Sequence, residues 1–168
     1  VVYADRKLRG LPGVPITHAG IERAIQGWSN EHITLDWRTP CELTDQGRPT
    51  NTPQLPIVIG RLIERCQMLE LHYTPDPAET TAWRKLHLQL QERAKAVKLT
   101  DNATRWVHVM SGSRRSDSMK PVSGLIGTAH YTGDLSELKY WLAWGSILHI
   151  GKNVVKGNGW YEISQMEQ

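Results

Sequence analysis

From residue 32 onward the apolar residues change their spacing, from every second position to every third or fourth and back. That alternation restricts the folds open to the chain more than any other feature. In HITLDWRTPCEL, Ile33, Leu35 and Trp37 alternate with Thr34, Asp36 and Arg38, the pattern of a half-buried strand. Pro40 interrupts it, which predicts an edge position or a bulge. After the turn residues TDQGRPTNTP, Leu55, Val58, Ile59, Leu62, Cys66, Leu69 and Tyr73 share one face of a predicted helix, opposite Arg61, Glu64, Arg65 and Glu70. TPDP closes it. Asp76 as cap and Pro77 in the first turn predict a second helix with the stripe Trp83, Leu86, Leu90, Ala94 and Val97. TRWVHVMS (104–111) and GLIGTAHYT (124–132) read as strands joined by a linker, GSRRSDSMKPVS, with His108 facing inward beside Trp106 and Met110. GDLSELKYWLAWG opens with Asp134 and carries Glu137 three residues later, a capping-box pattern, and would bury Leu135, Leu138, Trp141 and Leu142. A glycine loop and the strand GWYEI come last.

The resulting order is strand, helix, extra helix, strand, strand, helix, strand. With the extra helix set aside it is β-α-β-β-α-β, an α+β ferredoxin-like unit with four antiparallel strands and both helices on one face. Ahead of it, residues 1–31 read as a Pro/Gly linker and a short helix capped by Thr17, with Ile21, Ala24, Ile25 and Trp28 at helical spacing. At 168 residues the chain suits one ordinary domain with an appendage.

Composition mainly excludes. A formal charge of +3 is too small to name a partner, so any basic patch must be local. Cys41 and Cys66 have no CxxC spacing and no companion Cys/His pattern, which argues against a zinc site and for reduced core thiols in a cytoplasmic protein. No apolar run approaches the roughly 18 residues of a membrane span. Asp36, Asp45, Asp101, Asp117 and Asp134 are scattered without HExxH, DxD or EF-hand spacing, so neither a metal nor another cofactor is expected.

Three constellations could carry chemistry. In HIGKNVVKGNGWYEI, Gly151, Gly157 and Gly159 remove side chains where backbone amides could approach a phosphate, and Lys152 and Lys156 add charge. The competing interpretation is a glycine-rich hairpin with solvated lysines. In SGSRRSDSMK, Arg114, Arg115 and Lys120 stand among serines, suited to a sugar-phosphate backbone, or simply to a soluble loop. Cleaving RNA without metal needs a base, an acid and cations around the phosphorane. His149, Lys152 and Tyr161 could form that cluster if strand ends and loop converge; singly, each histidine reads as structural.

Together these stretches resemble the CRISPR-associated RAMP endoribonucleases that process precursor CRISPR RNA, chiefly their C-terminal half. The resemblance covers roughly residues 32–165: LDWRTPCEL as the strand entering Thr-Pro, LPIVIGRLIERCQMLELHY as the family helix, SRRSDSMKPVSGLIGTAHYTGDL with its Ser-Arg motif, and LHIGKNVVKGNGWYEI as the terminal glycine-rich loop. Asn158 departs from the pattern, where an apolar residue is more common. The resemblance implies a RAMP/RRM-like domain over residues 32–168, with residues 1–31 left from an N-terminal domain. It also implies metal-independent cleavage of CRISPR repeats, with Gly151, Lys152, Gly157 and Gly159 shaping the RNA path and Arg114 and Arg115 touching its backbone. The family's catalytic histidine belongs to the N-terminal domain, so none is transferred here. The alternatives are a RAMP-type subunit that grips RNA within an effector complex and cuts nothing, and a module for protein contacts; a homodimer is compatible with each.

Overall fold

The structure is a computed structural model that describes residues 3–4, 7–8, 16–113 and 118–164. β1 (Tyr3–Ala4) and β2 (Lys7–Leu8) pair antiparallel. α1 (His18–Ala24) begins at Thr17, whose hydroxyl accepts the Gly20 amide at 3.1 Å. β3 (His32–Cys41) leads through the small hairpin β4 (Thr44–Asp45) and β5 (Arg48–Pro49) into α2 (Leu55–Tyr73), with Pro56 in its first turn. α3 (Thr80–Lys95), β6 (Lys98–Asn102) and β7 (Arg105–Val107) follow. The hairpin β8 (Met110–Ser113) and β9 (Ser118–Pro121) precedes β10 (Gly124–Thr132), α4 (Leu138–Leu148), a 3-10 turn at Val154–Lys156 and β11 (Tyr161–Ser164).

The main sheet runs β11–β3–β10–β6, with β7 also on β10 and every pairing antiparallel. Taking β6 and β7 as two halves of one edge strand gives the fourth, first, third and second strands of a ferredoxin-like βαββαβ unit. α2 and α4 cover one face, and α3, the inserted helix, lies against α2. The alternation in β3 is realised: Ile33, Leu35 and Trp37 are sealed beneath the helices with Leu55, Ile59, Leu62, Leu138 and Leu142. Each such side chain contributes about 1.5–3 kcal/mol. β3 is central, so Pro40 is accommodated by a bulge: the register against β10 shifts between Leu125 and Gly127.

Several expectations need correction. β6 was not foreseen, because KLTDN is polar and mostly exposed and carries no alternation to detect. The strand expected over 104–111 stops after Val107; His108 is exposed rather than inward-facing, and Met110 starts a separate hairpin that replaces the expected linker. Tyr73, the last residue of α2, is 81 % exposed rather than on the buried stripe. Asp76 does not cap α3, which starts four residues later with Glu79 at its N-cap. Nor does Asp134 cap α4: its carboxylate accepts the Ser136 amide at 3.0 Å and hydroxyl at 2.6 Å in a local turn. The helix starts at Leu138, and Glu137 instead pairs with Arg93 of α3 at 2.8 Å.

Candidate functional site

The glycine loop leaves α4 through His149, which takes a positive φ of 59° at the helix end. Gly151, at φ 85°, lies so close to β3's continuation that a Cβ there would stand 2.6 Å from the Glu42 carbonyl oxygen. Gly159, at φ 76°, is tighter: a Cβ would meet the Ile150 carbonyl oxygen at 1.8 Å. Five of the loop's amides are already engaged. Lys152 N donates to Glu42 O, Lys156 N and Asn158 N to Asn153 O, Gly157 N to Val154 O and Gly159 N to Pro40 O. These five amides, those of Gly157 and Gly159 among them, bond the protein rather than face a phosphate: the glycines let the loop fold onto β3. Asn158, where the family favours an apolar residue, is buried and donates to the Val122 carbonyl at 2.9 Å, tying the loop to the start of β10. What projects is Val155, 86 % exposed, followed by the exposed Lys156.

The cluster of His149, Lys152 and Tyr161 does not assemble. Tyr161 is wholly buried; its hydroxyl donates to the Leu142 carbonyl at 2.7 Å and its ring lies 5.8 Å from that of Trp37. Burial pushes its phenol well above the ordinary value, so it exchanges no proton near neutral pH. Period-two alternation placed Tyr161 on the same face as Ile163, which was the available signal. Lys152 turns to Glu42, its ammonium 2.5 Å from the carboxylate. His149 is half-buried at the end of α4. Tyr161→Phe is expected to lower stability by about 1 kcal/mol, the worth of one internal hydrogen bond, in a urea titration, while leaving RNA affinity and any cleavage rate unchanged.

The glycine loop builds something else. Gly151, Lys152 and Val154 form one wall of a groove of about 390 Å³ whose other wall is α2, through Arg61, Glu64, Arg65 and Met68. Arg61 and Arg65 are four residues apart and so share a helix face. Arg61 is bridged to Glu64 at 2.8 Å, whereas Arg65 has no carboxylate partner among the described ion pairs. The Nε of each arginine is buried without an acceptor, so the hydrogen-bonding capacity of the two guanidinium groups is not exhausted within the protein. Three cations thus line one groove, two of them already held in place by carboxylates. Guanidinium groups so placed suit the bidentate acceptor geometry of a phosphate. Local sequence hid this arrangement, since Arg61 and Arg65 read as a solvated helix face about 90 residues from Lys152.

Other candidates fall elsewhere. Lys120 is exposed on β9, opposite Ser111. Arg114 and Arg115 lie outside the described residues. The open face of the sheet presents Asp36, Glu162 and Arg38, with Arg38 bridging both carboxylates at 3.1 and 2.7 Å. Beside them His130 bonds Thr34 at 2.7 Å and stands 3.7 Å from Asp101. The rings on or beside this face are the His130 imidazole, held by Thr34, and the exposed Trp160 next to Arg38. Burial pushes the Cys41 thiol up to about 12 and the Cys66 thiol up to about 11, so neither is a nucleophile at neutral pH. Among the described residues no cluster of three His, Cys, Asp or Glu could hold a metal ion, and no helix is long and apolar enough to cross a membrane.

Against this geometry stand the comparisons. The sequence profile of the CRISPR-associated endoribonuclease Cas6 family matches residues 35–161. No curated protein sequence matches significantly. Thermus thermophilus Cas6 (TTHB231) superposes with a TM-score of 0.56 at 19 % identity, over 86 % of this chain and 57 % of its own. A Cas6 (TTHA0078) product complex gives 0.52 at 18 % identity, over 94 % of this chain and 63 % of its own. A partial Cas6-RT-Cas1–Cas2 complex gives 0.54 at 12 % identity, over 87 % and 24 %. At these identities the likeness is one of fold. The chain spans little more than half the length of the Thermus thermophilus protein.

Proposed function

The chain belongs to the CRISPR-associated endoribonuclease Cas6 family, and from that premise we propose that it binds precursor CRISPR RNA and serves its cleavage without a metal ion, residues 32–168 forming the RNA-gripping domain. The observation that carries the proposal is the convergence of Arg61, Arg65 and Lys152 on one groove beside the glycine loop. A sugar-phosphate strand laid there would meet two forked donors and an ammonium, with Lys156 at the loop tip as a further contact. Phosphate oxygens would compete with Glu64 and Glu42 for these cations, so the carboxylates hold them in place until RNA arrives. Cleavage would proceed by in-line attack of the 2′-hydroxyl on the adjacent phosphate, leaving a 2′,3′-cyclic phosphate and a 5′-hydroxyl. Arg114, Arg115 and Lys120 would be further contacts to the RNA backbone.

One observation favours the second reading, an RNA-holding RAMP-type subunit of an effector complex that cuts nothing: Tyr161 is sealed in the core and builds no acid-base pair with His149. The test is incubation with end-labelled CRISPR-repeat RNA in EDTA. Binding that weakens steeply with salt, together with products bearing cyclic phosphate ends, is expected for the endonuclease. Salt-dependent binding without products supports the subunit. Salt-independent binding, or cleavage only after a divalent ion is added, would contradict the proposal.

A further inference from the structure

On the helical side of the domain, α1, α2, α3 and α4 enclose a second cleft of about 420 Å³, within the size range of small-ligand sites. Its walls are largely aromatic: Trp83, Tyr140, Trp141, Trp144 and His18. The rings are held by one another. The His18 imidazole meets Trp144 edge-on at 5.3 Å and bonds the Tyr140 hydroxyl through Nδ1 at 2.5 Å. Trp83 and Tyr140 each stand edge-on to Trp141, at 6.5 and 5.6 Å. One charged group, Glu70, joins the lining; the Trp83 indole N–H donates to its Oε2, and no described residue donates to Oε1.

We infer that this cleft binds a single unpaired nucleobase, with a preference for guanine. The inference rests on the reading of the chain as an RNA binder, but on different residues. Aromatic walls offer π-faces that stack any base. The Glu70 carboxylate offers its unengaged Oε1 and the second lone pair of Oε2, and guanine alone among the four RNA bases presents two N–H donors side by side, its ring N–H and its amino group, to meet both oxygens. The same carboxylate repels phosphate, so the base enters and the backbone stays outside. The cationic groove lies on the same helix: Glu70 is five residues beyond Arg65, about 7.5 Å along the axis and about 140° around it, so a strand held at Arg65 reaches the cleft by passing round α2. His18, which nothing in its sequence setting distinguished, here joins α1 to the site.

The test uses short oligouridines with one central guanosine, adenosine or uridine, their affinities followed by tryptophan fluorescence. Guanosine is expected to bind about tenfold more tightly than uridine. Trp144→Ala should abolish that difference, and Glu70→Gln, nearly isosteric, should reduce guanosine to the level of adenosine with an unchanged melting temperature. Equal affinity for all three oligomers in the unaltered protein would overturn the base site and leave the cationic groove standing. No binding of any oligomer would remove the RNA reading and this one with it. Concentration-dependent self-association lost in Trp144→Ala, with base-blind binding, would assign the cleft to a second copy of the chain and overturn the inference.

Discussion

Replacing Gly159 with alanine is expected to destabilise the protein by about 4 kcal/mol or more, a large share of the 5–15 kcal/mol that holds a domain together. The backbone there has φ 76°, which by itself costs a side-chain-bearing residue about 1–2 kcal/mol. The larger part is steric. An added Cβ would stand 1.8 Å from the Ile150 carbonyl oxygen and 2.8 Å from its carbon, where real Cβ atoms essentially never approach within 3.0 Å. Both obstructing atoms are backbone, so no side chain can swing aside. Relief would require opening the Ile150 N to Gly159 O bond and the Gly159 N to Pro40 O bond. Those bonds seat the loop on β3 just before β11, where the Trp160 carbonyl accepts the amides of Arg38 and Thr39. Gly157→Ala is the control. It has a similar φ of 87°, but nothing lies within 4 Å of its Cβ position, so only the backbone term of about 1–2 kcal/mol should appear. Urea titrations of the two variants measure the difference. Equal losses would mean that the loop does not pack as tightly as described.

The second large effect concerns RNA. Arg61→Ala combined with Arg65→Ala should weaken repeat-RNA binding by about 100-fold at moderate salt. Each charge-assisted phosphate contact contributes about 1.5–3 kcal/mol, and about 1.4 kcal/mol is tenfold in affinity. Arg65 should account for more than Arg61, since Arg61 gives up its Glu64 bridge on binding phosphate. Both side chains line a groove and lie outside the buried apolar core, so far-ultraviolet circular dichroism should be unchanged. Arg38→Ala is the matched control, an arginine on the open face already engaged by Asp36 and Glu162. It should change affinity less than twofold. If Arg38→Ala and the double variant weaken binding alike, the groove has no special place in recognition.

The strand-helix order was legible because buried faces impose their period on the sequence. β3, the stripe of α3 and the stripe of α2 short of Tyr73 followed that rule, and Pro40 announced its bulge. What escaped lacked such a face. β6 is a polar edge strand with a single half-buried apolar residue, Leu99, and β8–β9 forms a hairpin in which Met110 and Met119 stay exposed. Asp134 carried correct turn chemistry, yet the helix began later, since a carboxylate that satisfies a local turn no longer caps a helix. The site was legible only in part. Glycines announced an unusual loop, but not that five of its amides bond the protein itself. The partners of Lys152 across the groove come from a helix distant in sequence, and their only local trace was an i, i+4 pair of arginines. His149 and Tyr161 looked like neighbours in the chain, and the burial of one separated them in space.

The central claim is that RNA runs along the groove between α2 and the glycine loop and not across the open face of the sheet. Ultraviolet cross-linking of bound repeat RNA, with the attachment sites mapped by mass spectrometry, tests it most directly. Cross-links should concentrate at residues 61–68 and 151–156. Cross-links confined to the open face, around Thr34, Asp36 and His130, would contradict the account.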